Sequence, residues 1–343
     1  MYPCIEINTN SILNNLNVLR KKCSEKNISL TLISKVLAGN TAVLKLILEK
    51  GNVSSIGDSR VKNLKIFKDF NVEKWLIRSP MLSEVDDVVK YSDISLNTEL
   101  SVISALNEAA VKQNKKHKIV LMYECGDLRE GCYYNELAQI IEETFKMEGI
   151  ELYGIGTNLS CLNDTVPTEK NMNDFIDVVN RLEEKFDIKF KFISGGASSS
   201  INMLFDNKLP SGINHLRTGE GVFLGNVPVY DNAFPDAIKD CFKLKAEIIE
   251  LKSKPDIPET APENANELRR RAVLALGKQD VYFAGLSSFD EKIKIIGASS
   301  DHIVVDVTNS DKKYKVGDII DLRMNYNCLL SAMNSDYNEK III

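Results

Sequence analysis

The sequence lacks any apolar run approaching the roughly 20 residues that a membrane span requires. Its start, Met1-Tyr2-Pro3-Cys4-Ile5-Glu6, has no basic segment followed by an apolar one, so no secretory signal is legible there. Histidine is scarce: three residues, none in metal-ligand spacing, which argues against zinc and leaves no metal to be expected. The seven cysteines are odd in number and form no CxxC pair, a pattern of reduced thiols in a cytoplasm rather than of a disulfide framework. Positive charge is also short. Lys and Arg total 43 against 48 Asp and Glu, a formal net charge of −5. Without a basic excess there is neither a nucleic-acid footprint nor an anionic-membrane binder. What remains is globular: 44% hydrophobic, 27% charged, and 343 residues long, enough for about two domains with a sizeable core.

Short β-branched apolar runs alternate with longer amphipathic ones. An opening strand at Ile5–Asn8 leads to a helix at Ser11–Cys23 with Ser11 as its cap. Eight further strands are expected at Thr31–Val36, Val53–Gly57, Lys74–Arg78, Ile94–Asn97, Lys118–Tyr123, Leu152–Thr157, Phe190–Ser194 and His215–Gly219. Helical patterns fall between them, at 40–50, 60–69, 82–91, 98–113, 135–147, 169–186 and 199–207. This is the alternation of parallel βαβ units, and eight of them make a closed (β/α)8 TIM-like barrel. An open doubly wound sheet is the alternative, but no GxGxxG follows the first strand. After about residue 235 the texture becomes strand after strand: 241–251, 271–276, 292–296, 302–308 and 318–324. The expected organisation is α/β, with a barrel over 1–235 and a C-terminal mainly β domain over 236–343. Lys252–Glu267, rich in Pro, Asn and charge, reads as a solvated loop between strands.

Chemistry in such a barrel sits at the C-terminal ends of the strands. Lys35 lies there in an apolar strand, where burial would lower its pKa and make it a nucleophile; the alternative is a strand-end lysine reaching solvent. Ser194-Gly-Gly-Ala-Ser198-Ser-Ser follows the seventh strand and opens a helix, a setting for an anion, or an ordinary Ser-capped turn. Arg217, followed by Thr218-Gly219-Glu220, would point into the barrel mouth, or serve as a structural ion pair. Taken together they set an amine across from an anion cradle. That layout suits a phosphorylated aldehyde cofactor, and pyridoxal 5′-phosphate (PLP) fits it.

At these residues the sequence resembles the PLP enzymes of the alanine-racemase fold, over nearly its whole length. IEINTNSILNNL looks like that family's leading strand and helix, and SKVLAGN carries its cofactor lysine. LYGIGTNLSC, HLRTGEGVFLG, FKLKAEIIELK, GASSDHIVVDV and YKVGDII follow in family order. DLREG, SGGASSS, LGKQD, ASSDH and MNYNCLLSAMNSDY look most like the ornithine racemases of clostridia. The resemblance implies that Lys35 holds PLP and acts as one base. It implies that Arg217 meets the pyridine nitrogen, that phosphate rests on Ser198, Ser194 and the backbone of Gly219 and Glu220, and that Arg129 orients the substrate carboxylate. An arginine that cannot lose its proton keeps the ring nitrogen unprotonated, which suits racemisation better than wider PLP chemistry.

Other positions depart from the family pattern. A phosphate-binding tyrosine is replaced by Gly39, and a ring-stacking histidine by Asn158. Lys278, in LGKQD, falls where alanine racemases carry their second base, and Tyr326 is a further phenol for the site. The second base would come from the partner chain of a homodimer with shared active sites. The implied activity is interconversion of L- and D-ornithine by removal and return of the Cα proton. Alternatives are racemisation of another basic amino acid such as lysine, or a non-catalytic PLP-binding homeostasis protein, which resembles the barrel alone. A decarboxylase of this architecture would meet the ring nitrogen with an acid, which Arg217 opposes. Asp58, Glu99 and Asp127, near strand ends, read as solvated acids.

Overall fold

Parallel strands with both faces apolar must be covered on both sides, and closure into a barrel ringed by helices does this. The computed structural model describes residues 1–230, 232–256 and 267–343. After β1 (Cys4–Ile7), the next eight strands close on one another. They are β2 (Ser29–Ile33), β3 (Ser55–Asp58), β4 (Glu73–Leu76), β5 (Ile94–Asn97), β6 (His117–Glu124), β7 (Ile150–Asn158), β8 (Phe192–Ser194) and β9 (His215–Thr218). Their ladders are parallel, and β9 returns to β2 with Ser29 opposite His215 and Leu32 opposite Thr218. Each expected barrel strand is present, with ends shifted by a few residues.

Strand β6 shows why its sequence is continuously apolar. Ile119 and Leu121 pack outward with Leu106, Ile141 and Phe175 from the helices. Val120 and Met122, on the other face, pack inward with Trp75, Leu96 and Tyr153. Two buried histidines stand among these strands. His117 pairs with Ser95 Oγ at 2.8 Å. The His215 ring stacks on Trp75 at 4.7 Å.

Burial pushes His117 down to about 4. Between that value and the unfolded pKa of about 6.5, the unfolded chain binds more protons than the folded one, so stability falls as pH falls. The full effect is about 3 kcal/mol, accumulating at up to ~1.4 kcal/mol per pH unit. His117→Gln, whose amide nitrogen reaches where Nε2 lies, keeps a partner for Ser95 but does not titrate. Thermal melts between pH 6.5 and 5, above the carboxylate range, should show a shallower decline for the variant. Equal slopes would remove His117 as the cause.

Strands β10 (Asn226–Val227) and β11 (Asn232–Ala233) form a small antiparallel pair. The C-terminal sheet follows, built from β12 (Phe242–Pro255), β13 (Leu268–Leu274), β14 (Leu286–Ser288), β15 (Lys294–Ala298), β16 (Ile303–Asp306), β17 (Ile319–Met324) and β18 (Glu339–Ile342). Its order is β14-β17-β12-β13-β16-β15, with β1 beside β12 and β18. The chain divides into two compact units. One is Ile12–Lys239, and the other joins Met1–Ser11 to Asp240–Ile343. Among the described residues no helix is long and apolar enough to cross a membrane.

Three local expectations are corrected. The leading strand, expected with the barrel, pairs antiparallel with β12 and parallel with β18, because its backbone groups find their partners at residues 242–245 and 339–342. Ser11 is not the helix cap: the helix is Thr9–Ser24, and Asn8 Oδ1 accepts from the Ser11 amide at 3.1 Å. The loop expected at 252–267 begins later. Lys252 to Pro255 continue β12, opposite Arg271 to Leu268, while 257–266 lie outside the described residues. The sequence pattern also missed β14, β18 and the helix Tyr326–Asn334, each too short or too near the chain end to carry a period.

Candidate active site

The end of β2 delivers Lys35, though not from within the strand as expected. The strand stops at Ile33 because the Ser34 amide and hydroxyl both turn to the Gly57 carbonyl, at 2.8 and 3.2 Å. Lys35 opens a 3-10 turn to Leu37, leaving its side chain half-buried beside the fully buried Val36 and Leu37. Burial pushes its ammonium pKa down and nearby Arg129 adds to this, while Cys161, Asp58 and Glu220 oppose it. The same turn explains Gly39. Its φ is +83°, and an added Cβ would lie 3.1 Å from Ile66 Cδ1, so a tyrosine there would be strained.

Asp58 and Asp127 are buried, which corrects their reading as solvated acids; Glu99 is exposed. Asp58, ending β3, accepts from the Arg60 amide, Asn63 Nδ2 and Ser34 Oγ at 3.0, 3.1 and 3.2 Å. Asp127 Oδ1 accepts from the amides of Cys161, Leu162 and Asn163 at 2.8, 3.0 and 3.4 Å, tying the loop after β6 to the loop after β7.

After β8, Gly195 and Gly196 lead into the 3-10 turn Ser198–Ser200. Ser198 Oγ accepts from the amides of Gly219 and Gly221 at 3.3 and 3.1 Å and shares a hydrogen with Thr218 Oγ1 at 2.8 Å. The turns after β8 and β9 are thereby joined, which brings Ser198, Gly219 and Glu220 together. A Cβ on Gly219 would come within 3.0 Å of the Ile33 carbonyl oxygen, so glycine lets that backbone close against the end of β2. Ser194 stands apart from this cradle. It is buried on β8, and its hydroxyl lies 2.9 Å from His215 Nδ1 and accepts from Arg217 Nη1.

Arg217 is 2% exposed on β9. Its Nη2 donates to the Thr157 carbonyl at 2.8 Å and to Asn158 Oδ1 at 2.6 Å. Burial lowers its pKa to about 10, still well above neutrality, so the guanidinium stays charged. Beneath it His215 Nε2 pairs with Thr31 Oγ1, and Thr31 with Ser55 Oγ, both at 2.8 Å. Burial, reinforced by Arg217, holds His215 neutral. His215 was missed in the sequence, although standing two residues before Arg217 puts it on the same strand face.

Arg129, after β6, gives Nε and Nη2 to the two carboxylate oxygens of Glu130, the latter at 2.6 Å. Asn158 Nδ2 donates to Glu130 Oε1 at 2.7 Å. Glu130 was also missed: as the neighbour of Arg129 it carried no signal of its own. Lys35, Arg129, Asn158, Ser198, Arg217, Gly219 and Glu220 therefore gather in the barrel unit at or just past strand ends, where a barrel places its chemistry. Lys278 and Tyr326 belong to the other unit. Lys278 is exposed after β13 with Nζ 5.4 Å from the Phe283 ring centroid. Tyr326 begins the helix Tyr326–Asn334, which Asn325 caps through the Cys328 amide at 3.0 Å.

Comparison with known proteins agrees with this architecture. An ornithine racemase of Acetoanaerobium sticklandii is 40% identical, with 100% of each chain covered. A lysine racemase of Thermotoga maritima is 32% identical over 99% of this chain and 98% of the relative. An alanine racemase structure from Bartonella henselae with covalently bound pyridoxal phosphate superposes with a TM-score of 0.75 at 18% identity, covering 99% of both chains. A D-threonine aldolase structure from Filomicrobium marinum has the same fold, with a TM-score of 0.78 at 11% identity over 97% of this chain and 89% of the other. Residues 7–227 match the family described as alanine racemase, N-terminal domain, and the chain belongs to that family.

Proposed function

We propose that the protein is a PLP-dependent racemase interconverting L- and D-ornithine. One observation carries the reading: a half-buried lysine with a lowered pKa and a buried arginine that can only donate share one barrel end with a Ser–Gly anion cradle. The residues fit PLP. Lys35 Nζ would hold its aldehyde carbon, and Ser198 with the backbone of Gly219 and Glu220 its phosphate, where a Cβ on Gly219 would crowd Ile33. Bound there, the cofactor would supply an electron-withdrawing pyridine that acidifies the substrate Cα–H.

The chain's own groups do the rest. Arg217, held by Thr157, Asn158 and Ser194, offers hydrogens toward the ring nitrogen and cannot give one up near neutral pH. Ser194, engaged with Arg217 and His215, supports that arginine rather than the phosphate. Asn158 acts likewise, through its amide. Arg129 orients the substrate carboxylate. Lys35 moves the proton on one face of Cα. The opposite face needs a second base, which we assign to the partner's Lys278, with the partner's Tyr326 lining the site. The segments after β6 and β7 leave Leu128, Tyr133 and Leu162 exposed, apolar surface of the kind that a homodimer would cover. A cytoplasmic setting suits an enzyme of free amino acids whose seven cysteines are all unpaired thiols.

Identity to the ornithine racemase above the lysine racemase favours ornithine over lysine. The test is incubation with PLP and each of L-ornithine and L-lysine in D2O. Loss of optical rotation with deuterium at Cα, fastest for ornithine, is expected, and Lys278→Ala should slow it at least about 100-fold. Release of CO2, or retention of configuration, would overturn the assignment.

A further inference from the structure

Resting on the racemase reading, we propose that Glu130 is the positioning residue of the site: it sets the donor edge that Arg129 presents to the substrate carboxylate and locks the amide that holds Arg217. Glu130 takes up one whole edge of the Arg129 fork, through Nε and Nη2. Among the described residues Nη1 and the outer hydrogen of Nη2 have no hydrogen-bond acceptor, so a carboxylate meets the guanidinium end-on. Glu130 Oε1 also accepts from Asn158 Nδ2, and Asn158 Oδ1 accepts from Arg217 Nη2. The two ends of an amide are not interchangeable. Turned over, Asn158 would present its NH2 to a guanidinium and its oxygen to a carboxylate, both repulsive. Glu130 thus touches one arginine directly and reaches the other through a single side chain.

A neutral isostere cannot repeat this. Glutamine has one acceptor oxygen where Arg129 and Asn158 bring three donor bonds, and its NH2 must face one of those donors. A rival partner is also close. Asp127 Oδ2 lies 3.7 Å from Arg129 Nε, is buried, and among the described residues accepts no hydrogen bond. Arg129 released from Glu130 has that carboxylate to turn to.

The experiment compares ornithine with ornithinamide, which lacks the carboxylate, on the PLP-loaded enzyme. Glu130→Gln should raise KM for L-ornithine by about tenfold or more with a smaller loss in kcat. The inhibition constant of L-ornithinamide should move by less than about twofold. The absorbance maximum of the bound cofactor should shift as the Asn158–Arg217 contact loosens. Glu130→Asp, which keeps the charge on a shorter stem, should fall between, and its loss should again be confined to the acid. If Glu130→Gln does not fold, Glu130→Asp gives the same comparison. Equal weakening of acid and amide, or no change in either, overturns the proposal. A wild-type enzyme that racemises neither ornithine nor lysine overturns the parent reading instead.

Discussion

Lys35→Ala is expected to lower ornithine racemisation at least about 10,000-fold, the upper range for loss of a general acid–base group, since the same side chain also holds the cofactor. Both roles need an amine that loses its proton easily. Burial supplies this at the turn after β2, with Arg129 acting in the same sense. Lys35→Arg keeps a cation but cannot deprotonate near neutrality, so it should be about as inactive. Activity is read by chiral chromatography of both enantiomers. Attachment is read separately: borohydride reduction before digestion should leave the phosphopyridoxyl mass on the wild-type peptide containing Lys35 and on no peptide of Lys35→Ala. A label elsewhere in the wild type would move the site.

The second large effect is on stability. Arg217→Ala removes the donors that satisfy the Thr157 carbonyl, Asn158 Oδ1 and the Ser194 hydroxyl deep in the barrel. Leaving buried neutral acceptors without their donors costs about 1–3 kcal/mol each, offset in part because a desolvated cation is removed with them, so the variant should lose about 3 kcal/mol in urea unfolding. Arg217→Lys keeps the charge as a single point and cannot span three acceptors, so it should recover only part. An Arg217→Ala protein as stable as wild type would mean that the network contributes no net stability. Racemisation should fall in both variants, because neither keeps the guanidinium fork that would face the ring nitrogen.

The barrel was legible because burial on both faces leaves a direct trace. In β6, Ile119 to Met122 are apolar in succession, and only a doubly covered strand needs that. The partners of β1 left no such trace, since a four-residue strand does not record which distant backbone it will pair with. Lys35 was found but set in the wrong element: Val36 and Leu37 prolong the apolar run, and a 3-10 turn buried at a strand end reads the same as more strand. Asp127 looked solvated because the partners of its Oδ1 are backbone amides, which sequence does not display, and Asp58 because the Arg60 amide, Asn63 and Ser34 converge on it only in the fold. Family likeness, rather than periodicity, pointed to Arg129 and Lys278. Neither source pointed to His215 or Glu130, whose significance lies in what they touch.

The three amides gathered by Asp127 have a thermodynamic consequence. Residues 161–163 are fastened to a carboxylate 34 to 36 positions earlier in the chain, so the segments after β6 and β7 lose their separate freedom when the chain folds. An arriving amino acid meets a rim that is already ordered. The heat-capacity change of its binding should then be small, set by the ligand's own dehydration rather than by any segment ordering around it.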